Sequence, residues 1–324
     1  MGSIKLFLHP EGVYGGVTTY ATHLYHSLRE QSYETRLYRV GARGTVHTNG
    51  VPIGGIDINT AIRLAKPGKS LVLATDRHTL ELMSPIIERS RSLVLHDTPQ
   101  FAKGNLLEFL QETKIPVIAI RESIKAKLEL ENVPATFIPH PFIATKPRMV
   151  RRLFNAVSLS RIHWWKGTHF MVEANTQLPL RKQIHIYGQE NRLYMYHSLD
   201  SKYGKKWRKN WQGPFPNGKG ADIAAKYNYL VDMSTFKKYA DGGGSQYTFL
   251  EAFDAGTGLI LHSDWVDNDS TFKEYAEIVN SVDELVEQVQ KPPNRKKILA
   301  AEDYLETHAP VNVVSKYIRF LDGN

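Results

Sequence analysis

The chain has 324 residues, 41 Lys and Arg against 33 Asp and Glu (net +8), and no cysteine. Zero cysteine excludes disulfides, cysteine–zinc sites, iron–sulfur clusters and thiol nucleophiles. With 42% apolar and 23% charged residues, no run near the ~18 apolar residues of a bilayer span, and an N-terminus too quickly polar for a signal peptide, the expectation is a soluble, cytoplasmic protein of about two domains.

Ile4–Leu8 predicts a first strand, followed by a Gly-rich turn and a helix in which Val17, Tyr20, Leu24 and Leu28 recur at helical spacing. Leu71–Ala74, Leu93–Leu95 and Pro116–Ile120 are short apolar runs of the kind that form buried parallel strands. Helices are predicted near 77–89, 104–113 and 121–130. Pro134, Pro139, Pro141 and Pro147 then mark a linker. A second series has strands at Leu153–Leu159, Ile184–Tyr187, Tyr229–Asp232 and Gly258–Leu261, each followed by a helical stretch. Pro292-Pro293 interrupts it, and Arg295–Phe320 reads as helical with a break near Pro310. Two consecutive βα series predict two Rossmann-like, doubly wound α/β domains facing a cleft, because such folds bind ligands at the carboxyl ends of their strands.

The charge is uneven. Residues 1–150 carry +5, residues 151–209 carry +9 from twelve basic and three acidic side chains, and residues 210–324 carry −6. The densest stretch is Lys202-Tyr-Gly-Lys-Lys-Trp-Arg-Lys209. Interleaved cations and aromatics suit a phosphate backbone and unstacked bases. A solvated segment whose Trp tucks into the core is the competing explanation.

Four motifs sit at strand ends. Glu11-Gly-Val-Tyr-Gly-Gly-Val-Thr18 opens the first helix, where glycines allow close backbone approach and a helix N-terminus favours an anion; a tight turn without ligand is as good a reading. Ser158-Leu-Ser-Arg-Ile-His-Trp-Trp-Lys-Gly167 sets Arg161 and Lys166 around a strand-to-helix turn, as a diphosphate clamp requires. In Gly242–Gly256, Ser245 is placed to N-cap a helix, and Glu251 lies between Leu250 and Ala252, where a carboxylate needs a partner such as a ribose diol or a cation of the fold. Leu93-Val-Leu-His-Asp-Thr-Pro99 ends a strand in His96-Asp97, and Thr75-Asp-Arg-His78 ends the one before. A histidine there can donate to or accept from a reacting oxygen near neutral pH; a turn-forming Asp97 with a structural His96 is the competing explanation. No HExxH, dense carboxylate pair or GxSxG is present, so no metal site and no serine hydrolase is expected.

The order of these motifs resembles the retaining GT-B glycosyltransferases of the sucrose-synthase and glycogen-synthase type. More narrowly, it resembles the DNA α-glucosyltransferases of T-even-type phages. Gly16-Val-Thr18, Leu95-His-Asp97, Arg161-Ile-His-Trp-Trp-Lys-Gly167, Tyr187-Gly188 and Gln246-Tyr-Thr-Phe-Leu-Glu251 carry the likeness, in order, from residue 11 to about 260. The resemblance implies an acceptor-side domain over 1–145, a UDP-sugar domain over 150–300 and a C-terminal helix over 301–324 packing back on the first. It implies donor contacts from Gly15, Gly16, Val17, Arg161, Lys166, Tyr187, Gly188, Gln246, Tyr247, Thr248 and Glu251, with Glu251 on the uridine ribose. It implies catalytic roles for His96, Asp97, Arg161 and Lys166. Two departures stand out: Gly243 occupies the place of the usual first glutamate, and Gln246 replaces the phage family's glutamate, which leaves the sugar open.

The resulting expectation is transfer of a sugar, glucose by default, from a UDP-sugar to a hydroxymethylpyrimidine of double-stranded DNA with retention of configuration. No cofactor is tightly bound, metal dependence is open, no membrane is involved, and the chain acts as a monomer, in the host cytoplasm if phage-encoded. Charge alone, and not the resemblance, assigns DNA contacts to Arg151, Arg152, Lys202, Lys205, Lys206, Trp207, Arg208 and Lys209. The alternatives are a GT-B enzyme acting on a glycan, lipid or small molecule, a non-catalytic DNA-binding protein on the same frame, and a UDP-sugar epimerase.

Overall fold

The computed structural model describes residues 3–10, 15–102, 104–147, 152–216, 218–235, 244–268 and 270–323. The chain divides into two compact units, Met1–Ile143 with Glu306–Asn324, and Ala144–Leu305.

The first unit is built on an eight-stranded sheet, among the described residues: β1 Ser3–Leu8, β2 Glu34–Val40, β3 Thr45–Thr48, β4 Val51–Ile56, β5 Ser70–Val72, β6 Leu93–Leu95, β7 Val117–Ala119 and β8 Ala135–Phe137. Their order is β3-β4-β2-β1-β5-β6-β7-β8. All pairings are parallel except β3 with β4. The chain winds outward one way from β1 and then the other way from β5, so the order reverses between these two strands. Loops at the carboxyl ends of such a pair splay apart and leave room for a ligand.

β2, β3, β4 and β8 lie beyond what the apolar runs predicted. β2 alternates exposed and buried side chains along Glu-Thr-Arg-Leu-Tyr-Arg-Val, a half-covered strand and not a continuous apolar one. β4 contains Pro52, Gly54 and Gly55, which read as turn signals in sequence. Gly55 is there because its backbone lies against Ala42 and Gly44, whose carbonyl oxygens would be 2.7 Å from a Cβ. The core packs Phe7, Val72, Leu93, Leu95 and Val117 of the strands against Met83, Ile86, Ile87, Leu106 and Leu110 of the helices Leu80–Ser90 and Leu106–Thr113. Each fully buried Leu, Ile, Val or Phe contributes roughly 1.5–3 kcal/mol of transfer free energy. The helix Pro310–Asp322 returns to this unit, where the Tyr317 and Tyr20 hydroxyls are hydrogen-bonded.

The second unit has, among the described residues, five parallel strands: β9 Phe154–Leu159, β10 Ile184–Tyr187, β11 Tyr227–Asp232, β12 Gly258–His262 and β13 Ala276–Val279, in the order β10-β9-β11-β12-β13. Here the reversal lies between β9 and β11. After β10 the chain runs through a helical stretch from Arg192 to Tyr203 that includes a π-helical turn at Met195–Leu199, and then a 3-10 segment Lys205–Asn210. No helix among the described residues is long and apolar enough to cross a membrane.

Candidate active site

The carboxyl ends of β9 and β11 hold the second unit's polar cluster. β9 runs out at Leu159, and Arg161 stands exposed in the turn that follows. The 3-10 turn Trp164–Lys166 then leads through Gly167 into the helix Thr168–Gln177. Gly167 has φ of 60°, and a Cβ on it would meet the Met233 carbonyl oxygen at 2.0 Å. Only glycine lets the turn close against the segment after β11. Thr235 N donates to Trp165 O at 3.0 Å and adds a second tie. The Lys166 Nζ is thereby held 3.5 Å from Gln246 Oε1 and 3.9 Å from Asp232 Oδ2. A lysine ammonium with only long contacts keeps donors available for a further anion. The His163 ring packs against those of Trp164 and Trp165, with centroids at 4.1 and 3.8 Å. Burial, then the neighbouring Arg161 and Lys166 charges, push its imidazole down.

Across the site, the helix Tyr247–Asp254 carries Glu251 on a buried face. The side chain is 7% exposed. Its carboxylate lies against Gly220, where a Cβ would be 1.9 Å from Oε2. Burial pushes the carboxyl up to about 7, against the pull of the Gly220 amide and with a further push from Asp254. A carboxylate so placed is a hydrogen-bond acceptor of high affinity for a diol, whose hydroxyls replace lost water. Ser245 does not cap this helix. Gln246 is the N-cap residue, and the Ser245 hydroxyl is hydrogen-bonded to Tyr304 OH at 2.7 Å. Tyr247 is buried and Thr248 half-buried. Gly188, at the end of β10, is fixed by its N–H to Gly213 O (2.8 Å) and its O to Trp211 Nε1 (3.0 Å), with Tyr187 edge-on to Phe215.

In the first unit, β5, β6 and β7 end side by side. His96 is 6% exposed, and its Nε2 is 2.7 Å from Leu73 O. A carbonyl only accepts, so Nε2 carries the proton and Nδ1 the lone pair. Burial pushes this imidazole down to about 4, the Leu73 carbonyl and Asp97 opposing. His96 is therefore neutral and a weak base, which leaves it the role of a hydrogen-bonding group at this strand end. Asp97 is exposed and pairs with Arg121 at 3.1 Å. Gln100 Oε1 accepts from His96 N (2.6 Å) and Asp97 N (2.9 Å), while its Nε2 donates to Thr75 O (3.1 Å). Asp76 accepts from the His78 and Thr79 amides, so Thr75–His78 is a capped turn. Gly15 and Gly16 open the helix Gly16–Glu30 with nothing within 4 Å of a Cβ on either, and Val17 is half-buried. Glu11–Tyr14, Arg151, Gly242 and Gly243 lie outside the described residues.

The basic segment is divided by its internal pairing. Trp207 is buried with Nε1 on Asp200 (2.9 Å), so it is an anchor of the fold and not a platform for bases. Arg208 pairs with Asp200 at 2.6 Å and lies over Tyr196. Lys202 pairs with Glu173 at 2.9 Å, and Arg152 donates to Gly256 O. Lys205, Lys206 and Lys209 are exposed, and none has an ion pair among the described residues.

No protein-family model matches this sequence, and no curated protein matches it. Solved structures do. An α-glucosyltransferase in complex with UDP and a 13-mer DNA containing an HMU base aligns at TM-score 0.71 and 13% identity, over 99% of this chain and 100% of that one. The pneumococcal O-GlcNAc transferase GtfA, in complex with UDP and GlcNAc, aligns at 0.69 and 8%, over 99% of each chain. Anabaena Alr3699/HepE in complex with UDP aligns at 0.68 and 12%, over 99% of this chain and 100% of that one. The fold is that of the GT-B glycosyltransferases. At identities this low the likeness is one of fold.

Three polar residues of these GT-B strand ends were missed by the motifs: Asp232, Gln100 and Arg121. Asp232 and Arg121 had a signal, a charge directly closing or following an apolar run (Tyr-Leu-Val-Asp232; Ile-Ala-Ile-Arg121). Gln100 had one too, the capping-box spacing Asp97-Thr-Pro-Gln100, although its bond to Thr75 O in another segment had none.

Proposed function

We propose that this protein is a UDP-sugar-dependent retaining glycosyltransferase that moves a sugar, glucose by default, to the hydroxymethyl group of a 5-hydroxymethylpyrimidine in double-stranded DNA. The observation that carries the transferase reading is Arg161 and Lys166 around one turn at the β9/β11 reversal, beside the helix Tyr247–Asp254, whose N-cap Gln246 reaches Lys166 and whose Glu251 carboxylate is buried against Gly220. In this reading Arg161 and Lys166 take the donor diphosphate and Glu251 the ribose hydroxyls. Gly188, Tyr187, Gln246, Tyr247 and Thr248 line the nucleotide and sugar. The first unit takes the acceptor, while its Gly15, Gly16 and Val17 offer a helix N-terminus to the donor phosphates or sugar.

The chemistry follows from the charges. The bond from the anomeric carbon to the β-phosphate oxygen breaks, and UDP leaves with the electron pair. Arg161 and Lys166 hold the charge that develops on it, and fixed groups aimed at developing charge usually contribute most to lowering such a barrier. The acceptor oxygen bonds to the same face of the sugar, and its proton passes to the departing phosphate oxygen. His96 does not remove that proton, since an imidazole pushed down to about 4 is too weak a base. Its Nδ1 lone pair accepts from a hydroxyl, and Asp97 with Arg121 orients the same region. A target base leaves the stack at a cost of a few kcal/mol.

DNA as acceptor is supported by the +9 segment and by the DNA bound to one fold neighbour. A second reading, transfer to a non-nucleic-acid acceptor, is favoured by the internal pairing of Arg152, Lys202 and Arg208. The test is radiolabelled UDP-glucose with hydroxymethylated and unmodified duplexes, followed by mass spectrometry of the nucleosides. Label on the hydroxymethylated duplex alone is expected; no DNA-dependent label from any UDP-sugar rejects the DNA acceptor.

A further inference from the structure

The diphosphate contacts leave one buried charge without a role. Asp232 closes β11, is 3% exposed, and lies at the strand reversal. Its Oδ1 accepts from the Ser234 amide at 2.9 Å and from the Ser234 hydroxyl. With that oxygen saturated the carboxylate cannot swing, and Oδ2 faces Lys166 Nζ from 3.9 Å. The separation is fixed from both sides, because Gly167 packs on the Met233 carbonyl and Thr235 N is bonded to Trp165 O. Asp232 and Lys166 are therefore carried by two segments stitched together at the residue next to each.

We propose that Asp232 is a positioning residue, which aims the Lys166 ammonium at the departing diphosphate. The proposal rests on the reading of Lys166 as a diphosphate contact. A lysine stem has four rotatable bonds, and an unguided ammonium samples many directions. Asp232 on one side and Gln246 Oε1 on the other narrow that range. At 3.9 Å Asp232 attracts Lys166 without satisfying its donors, so the ammonium stays available to the anion that forms in the transition state.

The test is a double-mutant cycle between Asp232→Asn and Lys166→Ala, read as UDP release from UDP-glucose with water as the acceptor. Asn keeps the shape and the Ser234 bonds to Oδ1 and removes the charge. Removing one preorganised donor costs about 10²–10³-fold in kcat, so Lys166→Ala is expected in that range. Loss of its aim is expected to cost about tenfold in kcat, with KM for UDP-glucose within about twofold, since only transition-state binding is affected. In the Lys166→Ala background Asp232→Asn is expected to change nothing further. Ser234→Ala, which frees one side of the carboxylate, serves as the milder variant, with a few-fold loss of kcat that also vanishes without Lys166. Effects that multiply in the double variants, or an unchanged kcat beside a lowered Tm, overturn the positioning role. A Lys166→Ala protein at the parental rate instead strikes the diphosphate reading itself.

Discussion

Replacing Glu251 with Gln is expected to stabilise the second unit in alkaline solution and to change it little in acid. Burial pushes this carboxyl from 4.5 up to about 7. The unfolded chain thus ionises at a lower pH than the folded one, and the folded state holds the extra proton between them. Stability falls as pH rises through that window. At 1.36 kcal/mol per pH unit, the gap amounts to roughly 3 kcal/mol once both states are ionised. An amide does not titrate, so Glu251→Gln recovers most of this at pH 8.5 and under about 1 kcal/mol at pH 5. For a unit of this size 1 kcal/mol moves the midpoint by roughly 2–4 °C, which puts the gain at about 6–12 °C at pH 8.5. Calorimetry of both proteins at the two pH values measures it. UDP titrated at pH 8.5 is expected to bind the variant more weakly, since the charged acceptor for the ribose is gone. A midpoint difference that is the same at both pH values, or a loss of stability at pH 8.5, refutes the reasoning.

Three further outcomes follow. Gly167→Ala brings a Cβ to 2.0 Å from the Met233 carbonyl at a φ of 60°, and strain with overpacking is expected to cost about 2–5 kcal/mol, read from denaturant midpoints; a neutral variant means the turn is looser than described. Burial pushes His23, His96 and His308 each down to about 4, so the stability they support is complete above 6.5 and is lost as pH falls towards 4; hydrogen exchange between pH 7 and 4 is expected to show the first unit opening before the second, and equal protection at pH 4 contradicts this. Replacing Lys205, Lys206 and Lys209 together with Ala is expected to lower the salt slope of duplex binding by about 2.7 if each meets one phosphate, whereas Lys202→Ala, already paired with Glu173, leaves the slope unchanged; equal effects from both reject this division of the segment.

Much of the second unit's site was legible because its cues are local. Arg161, Lys166 and Gly167 follow one apolar strand within eight residues, and Glu251 betrays its burial through Leu250 and Ala252. The partners of those residues were not legible. Gly220 lies thirty-one residues before Glu251, and Asp232 meets Lys166 only because β9 and β11 become neighbours across the reversal. Trp207 shows the opposite error. Its lysine neighbours suggested a base-stacking surface, but Asp200, seven residues earlier, captures its indole N–H and turns the ring inward. The strand end marks His96, but its burial, and the Leu73 carbonyl twenty-three residues away that fixes its tautomer, are set by the fold. In the fold, β2 and β4 escaped because alternation with charge, and a Pro-Gly-Gly composition, imitate loop signals.

In the proposed function, the carboxyl ends of β9 and β11 bind a nucleoside diphosphate through Arg161 and Lys166. Calorimetric titration of UDP into the parent and into the Arg161→Ala, Lys166→Ala double variant tests it most directly. Hydrogen bonds to charged groups are worth about 1.5–3 kcal/mol each, so the variant is expected to bind UDP at least about 100-fold more weakly while keeping the parental unfolding midpoint. Equal affinity in the two proteins, or a parent that does not bind UDP, excludes a diphosphate site at these strand ends.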